Sequence, residues 1–586
     1  MSLLDVLMKI YEHIIKERLV AVLEKNKFFS NMQAAYRKSR ATSDHILVVQ
    51  ELFFHYRYKR SLGEAKNKCP LYLCLMDLAK AFDTVPREML FKKLWRAGIR
   101  GKMYRVIKNL YTDNRARIRI GGHLTKSFEI KSGVMQGSKL GPILFNIFIN
   151  DLLERLHNSG LGVTMGNLIL TALGFADDIM LLAAEPSKLQ TLIDICETWS
   201  RQNGMQFNID KCKVLPLNVG MKGLIFKLMG KILKLVKRAK YLGVTLSRTR
   251  LTTLYSNHIE RALEKAEAKT SAIRHLGYHS DGFRPETTVS MYKTIVRPTL
   301  EYAAQVLSYK HYYFTNRRSV SVDETPDMIK ILEKFQNRTL KKLVSSPKNT
   351  PPAVIRILTG TMAISSRIDI LKLRYFWKLM HSEKDNIAHA VYKHLRKKFL
   401  DGEAGYIHEI FNICCKYGSM DIWHGICPKK VNPFARIKRM VEEYHLKKDL
   451  EVLRRTNCAY SVLRIFKDKK YMLEPWLRGI GRFPSTKHRR VFLHALLDVA
   501  SYERKCGNCG TTVKDLTTHG LKECPRVTHK REIFKITMKF YNATEGLDTT
   551  NRVQVLEEAL VKKSLLWYSV RFFNYHLELG VMRIEH

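Results

Sequence analysis

The sequence predicts an α+β fold over roughly its first 250 residues, then a long helical, basic region and a small metal-binding module. Three observations predict this. Two hydrophobic runs, "LYLCLMD" and "GFADDIMLLA", each carry acid at one end and lie among segments with helical spacing. From about residue 251 the apolar spacing turns helical and stays so. Near the end, "CGNCGTTVKDLTTHGLKEC" gathers three cysteines and a histidine.

The elements follow in order. Leu3, Val6, Leu7, Ile10, Ile14, Ile15 and Leu19 recur at helical spacing and predict a helix over 3–23. A basic loop, "QAAYRKSRATSDH", leads to a second helix from about 43 to 58. "LYLCLM" reads as a buried strand ending at Asp77. Residues 86–111 predict a helix. "RARIRIGG" reads as a strand into a turn, with Arg115, Arg117 and Arg119 alternating with Ala116, Ile118 and Ile120, so one face is cationic. Residues 139–157 predict a helix opened by Pro142 in its first turn. A hairpin over 173–183 and a helix over about 186–203 come next. "GMQFNIDKCKVLPL" is a strand candidate, and "KYLGVTL" at 240–246 a short strand. Then come helical stretches such as "HIERALEKAEAKTSAIRHL" and "MIKILEKFQNRTLKKLV", and residues 365–470 read as helical and basic. The expected seam lies near 250.

Composition narrows the function. Of 586 residues, 45% are hydrophobic and 10% aromatic, enough for a sizeable core, which excludes wholesale disorder. The net charge is +47, from 101 Lys and Arg against 54 Asp and Glu. Such a surplus repels itself unless a polyanion shares the surface, and nucleic acid is the partner it points to. Eleven cysteines in so long a chain do not make a disulfide scaffold. No stretch reaches the roughly 20 apolar residues of a membrane span. Asp5, Glu12 and Glu17 exclude a signal peptide at the N-terminus, so an intracellular, reducing compartment is expected.

The paired acids Asp177 and Asp178 need a reason, because strand cores avoid Asp and adjacent carboxylates repel. A divalent cation supplies one: crowded hard oxygens are what Mg²⁺ takes. Two ions about 3.5–4 Å apart can hold the attacking and leaving oxygens of a phosphoryl transfer in line. Neighbours on one strand face opposite ways, so Asp177 and Asp178 are equivalent ligands only if the turn reorients one. A third carboxylate must come from elsewhere, and Asp77 is the candidate. Alone, the pair would be an ordinary turn motif.

Its context is a set of blocks in fixed order: "MDLAKAFDTVPREML", "GVMQGSKLGPILFNIFINDL", "LGFADDIMLLA", "NGMQFNIDKCKVL" and "KYLGVTL". Together these resemble palm motifs A to E of the reverse transcriptases of non-LTR, LINE-like retrotransposons. "QAAYRKSRATSDHIL" resembles the fingers motif before them. The resemblance covers roughly residues 1–310. It implies a right-hand polymerase: partial fingers over 1–70, palm over 71–250, helical thumb over 251–365, helical basic connector over 366–500, and a zinc knuckle with C-terminal helices over 501–586. The implied activity is RNA-directed DNA synthesis. The implied partners are an RNA template, a DNA primer or target and dNTPs, with two Mg²⁺ (or Mn²⁺) ions.

The resemblance also implies roles. Asp77 and Asp177 would ligate both metals, with Asp178 the weaker ligand and the Leu78 carbonyl a further contact. Phe82 matches the steric gate against a ribose 2′-OH; otherwise it is a palm core aromatic. Gln136 and Gly137 match the turn that packs on nucleotide and template, where Gly lets backbone approach closely. Lys211 is the general acid for departing pyrophosphate, or a solvated lysine. Arg37, with Lys38 and Arg40, would grip phosphates. Tyr241, Leu242 and Gly243 resemble the primer grip. This chain departs from the family pattern at Met135, at Gly141, and at Ala35 and Tyr36.

Cys506, Cys509, His519 and Cys524 have the spacing C-x₂-C-x₉-H-x₄-C, which suits a closed tetrahedral Cys₃His zinc site. His529 is a spare ligand. The cluster also resembles the C-terminal CCHC of non-LTR elements. The start inside the family's fingers region, with no upstream nuclease, reads as an N-terminally truncated copy. Family behaviour points to the nucleus. Two other readings stay open: a non-catalytic, degenerate or domesticated RNA-binding protein, and an intron maturase-like protein.

Overall fold

The computed structural model describes residues 5–61, 69–248, 256–275, 283, 285–308, 312–315, 318–321, 328–344, 346, 350–400, 405–428 and 431–455, with short strands at 504–505 and 512–513. The chain divides into two compact units. One comprises residues 1–258, 306–325 and 375–412; the other comprises 259–305, 326–374 and 413–586. The two returns to the first unit have no counterpart in the sequence reading.

The first unit opens with helices α1 (Val6–Lys25) and α2 (Thr42–Ser61). Strand β1 (Leu71–Met76) runs into the short helix α3 (Ala81–Thr84), then α4 (Arg87–Arg96) and α5 (Gly101–Tyr111). The single helix expected over 86–111 is therefore two. After Arg96 the N–H groups of Ala97, Gly98 and Ile99 fold back onto the Lys93, Trp95 and Leu94 carbonyls and close the first helix. Strands β2 (Arg115–Ala116), β3 (Arg119–Ile120), β4 (His123–Leu124) and β5 (Phe128–Glu129) form a ribbon before α6 (Gly141–Asn158). A hairpin of β6 (Val163–Met165) and β7 (Leu168–Leu170) precedes β8 (Ala172–Phe175), β9 (Asp178–Ala183) and α7 (Pro186–Asn203). The last strands are β10 (Lys213–Leu217), β11 (Lys227–Leu228), β12 (Lys231–Ile232), β13 (Lys234–Leu235), β14 (Arg238–Tyr241) and β15 (Val244–Ser247).

Two strand expectations change. Within "GMQFNIDKCKVLPL" only Lys213–Leu217 is a strand. "KYLGVTL" is not one strand but the two arms of a hairpin, turned at Leu242 and Gly243, whose φ angles are 44° and 82°.

A five-stranded sheet, ordered β13-β10-β1-β9-β8, is the frame of this unit. Central β1 is antiparallel to both β9 and β10. That position explains its continuous apolar run: Leu71, Tyr72, Leu73, Cys74 and Met76 are all buried. Helix α7 packs on β1 and β9, and α6 packs on β8. Helix α6 is apolar nearly all round, and Ile143, Leu144, Phe145, Phe148, Leu152 and Leu153 are all buried. Each such side chain contributes about 1.5–3 kcal/mol by leaving water. Gly174 in β8 is where α6 comes closest, since a Cβ there would stand 3.0 Å from Leu153 Cδ1.

The second unit is helical among its described residues, apart from the short paired strands at Arg504–Lys505 and Thr512–Val513. Helices α8 (Ser256–Ile273), which begins in the first unit, and α9 (Pro285–Met291) are followed through Tyr292–Val296 by α10 (Arg297–Glu301). Then come α11 (Met328–Leu343), α12 (Pro352–Thr359), and α13 (Ile364–Met380), which passes back into the first unit. There α14 (Ile387–Leu400) packs on α2. The remaining helices are α15 (Tyr406–Tyr417), α16 (Met420–Trp423) and α17 (Pro433–Arg455). Within the second unit α12 packs on α17, where Arg356 pairs with Asp449, and Arg367 bonds Glu301 at 2.8 Å. Between α10 and α11 stand the paired strands Tyr312–Thr315 and Arg318–Ser321, which belong to the first unit.

Candidate active site

Strand pairing brings the acids together. Met76 at the end of β1 pairs with Ile179 in β9. Asp77 follows directly after the end of β1, and its charge acts on both Asp177 and Asp178. Phe175 pairs with Asp178, so Ala176 and Asp177 form the two-residue turn between β8 and β9. Ala176 has φ +57°, as a tight hairpin of this kind requires at its first turn residue. Asp177 is thus a turn residue and Asp178 a strand residue, which frees the pair from strict strand alternation.

The electrostatics match that placement. Burial raises the carboxyl pKa of Asp177 above its ordinary value, and the Asp77 charge raises it further; its own backbone N–H and Lys211 act the other way. Asp178 is raised by burial, then by Asp177 and Asp77, with Lys240 opposing. Three carboxylates therefore share one field, with a lysine on either side. The Lys211 Nζ lies 3.3 Å from Asp77 Oδ2. That oxygen is buried, and no hydrogen bond among the described residues satisfies it. Among the described residues no three His, Cys, Asp or Glu side chains are gathered tightly enough to hold a metal ion as they stand. The donor chemistry nonetheless suits a hard cation: carboxylate oxygens only, one of them buried with no hydrogen bond among the described residues.

The site rests on a braced scaffold. Asn208 N–H donates to the Asp77 carbonyl at 2.7 Å, and Ala79 N–H to the Gln206 carbonyl at 2.8 Å. Buried Cys212 lies against the same backbone, its sulfur 3.3 Å from Asp77 N. The turn is held from the other side by fully buried Gln33, whose Oε1 accepts from the N–H of Ala35 and of Ala176, both at 3.0 Å. The loop before α6 is held by Glu12 of α1, also fully buried. Its carboxylate accepts from Ser138 Oγ at 2.7 Å and Lys139 N–H at 2.8 Å, and Ser138 Oγ in turn accepts from the N–H of Leu140 and Gly141. Gly133 packs on α3 so closely that a Cβ would lie 2.6 Å from the Asp83 carbonyl oxygen, and its φ is +85°. Only glycine fits there.

The other expected residues fall as follows. Leu78 is buried and bridges to Phe207. Phe82, half-buried, stacks on Phe145 with ring centroids 4.6 Å apart. Gln136 and Gly137 are exposed, and Gln136 Nε2 donates to Asp83 Oδ1 at 2.8 Å. Lys38 is exposed. Arg37 is a correction. Rather than offering its guanidinium to phosphate, it is buried, donates to both Glu24 carboxylate oxygens at 2.8 and 2.7 Å, and reaches the Ser30 and Gln33 carbonyls. Arg40 is likewise spent, on the Asn31 carbonyl and the Asp385 carboxylate. A fixed fork of five donors is as good at pinning a loop as at gripping phosphate, and a short motif does not say which. Tyr241 is buried, and His45 Nδ1 lies 3.1 Å from its hydroxyl. Cys506, Cys509, His519, Cys524 and His529 lie outside the described residues.

Sequence reasoning missed Lys240, Tyr36, Gln33 and Glu12. Lys240 immediately precedes the expected primer grip and acts on Asp178. Tyr36 is 53% exposed, has φ +57°, and feels the Asp177 charge. A polar residue in an otherwise apolar helix face was the available signal for Glu12.

Residues 1–246 match the family model described as reverse transcriptase (RNA-dependent DNA polymerase). This part of the chain is reverse-transcriptase-like. The Pol polyprotein of a type-1 retrotransposable element R2 from Popillia japonica is 31% identical over 37% of this chain and 37% of that protein. The RNA-directed DNA polymerase of the mobile element jockey from Drosophila melanogaster is 27% identical over 52% of this chain and 32% of that protein. The chain thus spans about a third of the length of these relatives. A solved telomerase from Candida albicans, in complex with a fragment of telomeric RNA, gives a TM-score of 0.31 at 13% identity, covering 61% of this chain and 57% of that one. Among the described residues, no helix is long and apolar enough to cross a membrane.

Proposed function

We propose that the chain is an RNA-directed DNA polymerase of the non-LTR retrotransposon kind, built as fingers, palm and thumb. The observation that supports this most is the convergence of Asp77, just past the end of β1, with the Asp177 turn and Asp178, both of which feel its charge, inside the segment matching the reverse transcriptase model.

In this reading a primer 3′-oxygen attacks the α-phosphorus of a dNTP. The new P–O bond forms as the bond to pyrophosphate breaks, and the 3′-hydroxyl proton leaves to solvent. Asp77 and Asp177 would hold the divalent ions, with Asp178 assisting. When bound, Mg²⁺ or Mn²⁺ supplies charge neutralisation and polarisation of the phosphate and the 3′-oxygen. Lys211 gives its proton to the departing pyrophosphate oxygen. Phe82, firm against Phe145, closes the space beside the sugar of the nucleotide. The Gln136–Gly137 turn receives base and template, and the Leu242–Gly243 turn meets the primer end. The RNA template, the DNA primer and nuclear localisation come with this reading. So does a structural zinc ion on Cys506, Cys509, His519 and Cys524.

Primer extension tests it: purified protein, an RNA template with an annealed DNA primer, dNTPs and Mg²⁺. Extension by the wild type, lost in Asp177→Ala while RNA binding is kept, supports the polymerase. RNA binding with no extension by the wild type leaves a non-catalytic RNA-binding protein instead. Metal analysis of Cys506→Ser against wild type tests the zinc.

A further inference from the structure

The ribbon between α5 and α6 is built unlike the rest of the first unit. It pairs from Asn114 and Ile130, through Arg115–Glu129 and Ala116–Phe128, to Arg119–Leu124 and Ile120–His123. Almost nothing on it is buried. Ile118 is 51% exposed, Ile120 67% and Phe128 47%. β2 and β3 are separate short strands with Arg117 and Ile118 between them; alternation within each strand sets Arg115 apart from Ala116 and Arg119 from Ile120, and Arg117 and Ile118 are both exposed between the two. Among the described residues no carboxylate forms an ion pair with any of the three arginines, although Glu129 sits across from Arg115.

The base of this arm is fixed. Arg87 donates to the Tyr111 carbonyl at one end at 3.0 Å and to the Gly133 carbonyl at the other at 3.2 Å, with its guanidinium over the Tyr111 ring. Gly133 in turn packs against Asp83, and Gln136 bonds the same residue. One arginine thus clamps both feet of the arm to the loop that leads into the Gln136–Gly137 turn.

We propose that this arm is a rail for single-stranded RNA template. Arginines two residues apart are about 7 Å from each other, close to the spacing of successive phosphates on one strand. A two-stranded ribbon is thin enough for an unstacked strand to fold around its edge. Phosphates then lie on the arginines and bases on Ile118, Ile120 and Phe128. A duplex keeps its bases stacked inside and offers those apolar side chains nothing, whereas unstacked bases seek such platforms. Binding is by charge and stacking, without sequence preference. The assignment of the strand as template rests on the polymerase reading; the binding itself does not.

The test uses the full chain and fluorescence anisotropy, with a labelled single-stranded oligouridine and a blunt RNA–DNA hybrid of equal length. Arg115→Gln/Arg117→Gln/Arg119→Gln should weaken oligouridine binding on the order of 10- to 100-fold at 0.1 M salt, and flatten its log K against log salt plot by about 2, at roughly 0.7 per phosphate contact. Hybrid binding should change little, and three Arg→Lys changes should restore the slope. Ile118→Ser/Ile120→Ser should weaken oligouridine with the slope kept. Thermal melting by circular dichroism checks that each variant is folded, which an exposed arm should allow. An unchanged slope on oligouridine, or an equal loss on the hybrid, overturns the proposal. Loss of slope in a chain that extends no primer would retain the RNA-binding arm and reject only the polymerase.

Discussion

The ammonium of Lys211 lies 3.3 Å from Asp77 Oδ2, an oxygen buried without a hydrogen bond. In the absence of a cation, lysine is what meets this carboxylate. Asp77 would hold a divalent ion through the same carboxylate that Lys211 meets, and Lys211 would then be free to face the leaving group. Lys211→Ala should therefore lower the single-turnover rate of nucleotide addition about 100-fold or more, the usual weight of a general acid. It should lower, not raise, the Mg²⁺ concentration needed, since the competing ammonium is gone. Rapid-quench kinetics over a Mg²⁺ titration check this; an unchanged rate rejects the role.

Asp177 gives a stability prediction with a definite sign. Its folded-state pKa is raised, chiefly by burial and then by Asp77. As pH rises through that raised value, the folded protein gives up a proton at greater cost than the unfolded chain does. Stability from this group is thus present in acid and lost toward neutral pH. Asp177→Asn should raise the melting temperature at pH 7.5 in EDTA, and should shrink the stabilisation that added Mg²⁺ gives the wild type. Scanning fluorimetry with and without Mg²⁺ reads both, and a lower melting temperature for the variant in EDTA contradicts the argument.

Glu12 carries a prediction that the chemistry of the acids does not. Its fully buried carboxylate ties α1 to Ser138 and Lys139. Glu12→Ala should cost about 3 kcal/mol, because buried donors lose a charged acceptor. Urea unfolding measures it, and a loss under about 0.5 kcal/mol, the range of an ordinary surface change, would show the tie to be idle. In the surviving folded fraction the KM for dNTP should rise, since the Gln136–Gly137 turn directly precedes the two residues that Glu12 holds.

These cases show what the sequence displayed and what it hid. The acids were legible because an apolar strand ending in Asp77 and an apolar hairpin bearing Asp177 and Asp178 are costly patterns with few physical excuses. The register that unites them was not, since antiparallel partners about a hundred residues apart leave no local trace. The split of residues 86–111 was hidden because the helical spacing resumes after the turn at Ala97–Arg100. The arginine alternation at 115–119 was visible, but that the whole ribbon stands exposed depends on what fails to cover it. Arg37 misled because an arginine in a basic loop reads the same whether it faces phosphate or Glu24.

Arg37 can be tested on that difference. It is bound bidentately to Glu24 and stacked 5.3 Å from the Phe29 ring centroid. Arg37→Ala should destabilise the first unit by about 3 kcal/mol, the low end for breaking a buried pair, because Glu24 keeps some access to water. A residue that gripped triphosphate would act otherwise: its loss would raise the KM for dNTP steeply at little cost in stability. Urea unfolding alongside steady-state kinetics separates the two, and a large KM effect with unchanged stability would return Arg37 to the nucleotide.

His45 sets an acid limit on the same unit. It is fully buried against Tyr241, and burial, aided by the nearby Arg40 charge, pushes its pKa down to about 3. The folded protein therefore keeps this imidazole neutral, while the unfolded chain protonates it near 6.5. Between those values the unfolded state binds the extra proton, so stability falls as pH drops below about 6.5, by up to about 1.4 kcal/mol per pH unit. His45→Gln keeps a polar group beside the Tyr241 hydroxyl but cannot titrate. Its urea midpoint should be lower than wild type at pH 7.5 and should fall less steeply from pH 6 to 4.5. Tyr241 starts the turn expected to meet the primer end, so primer extension should lose activity in acid over the same window in the wild type more than in the variant. Parallel urea curves for the two proteins would mean that protonation of His45 does not drive the acid loss.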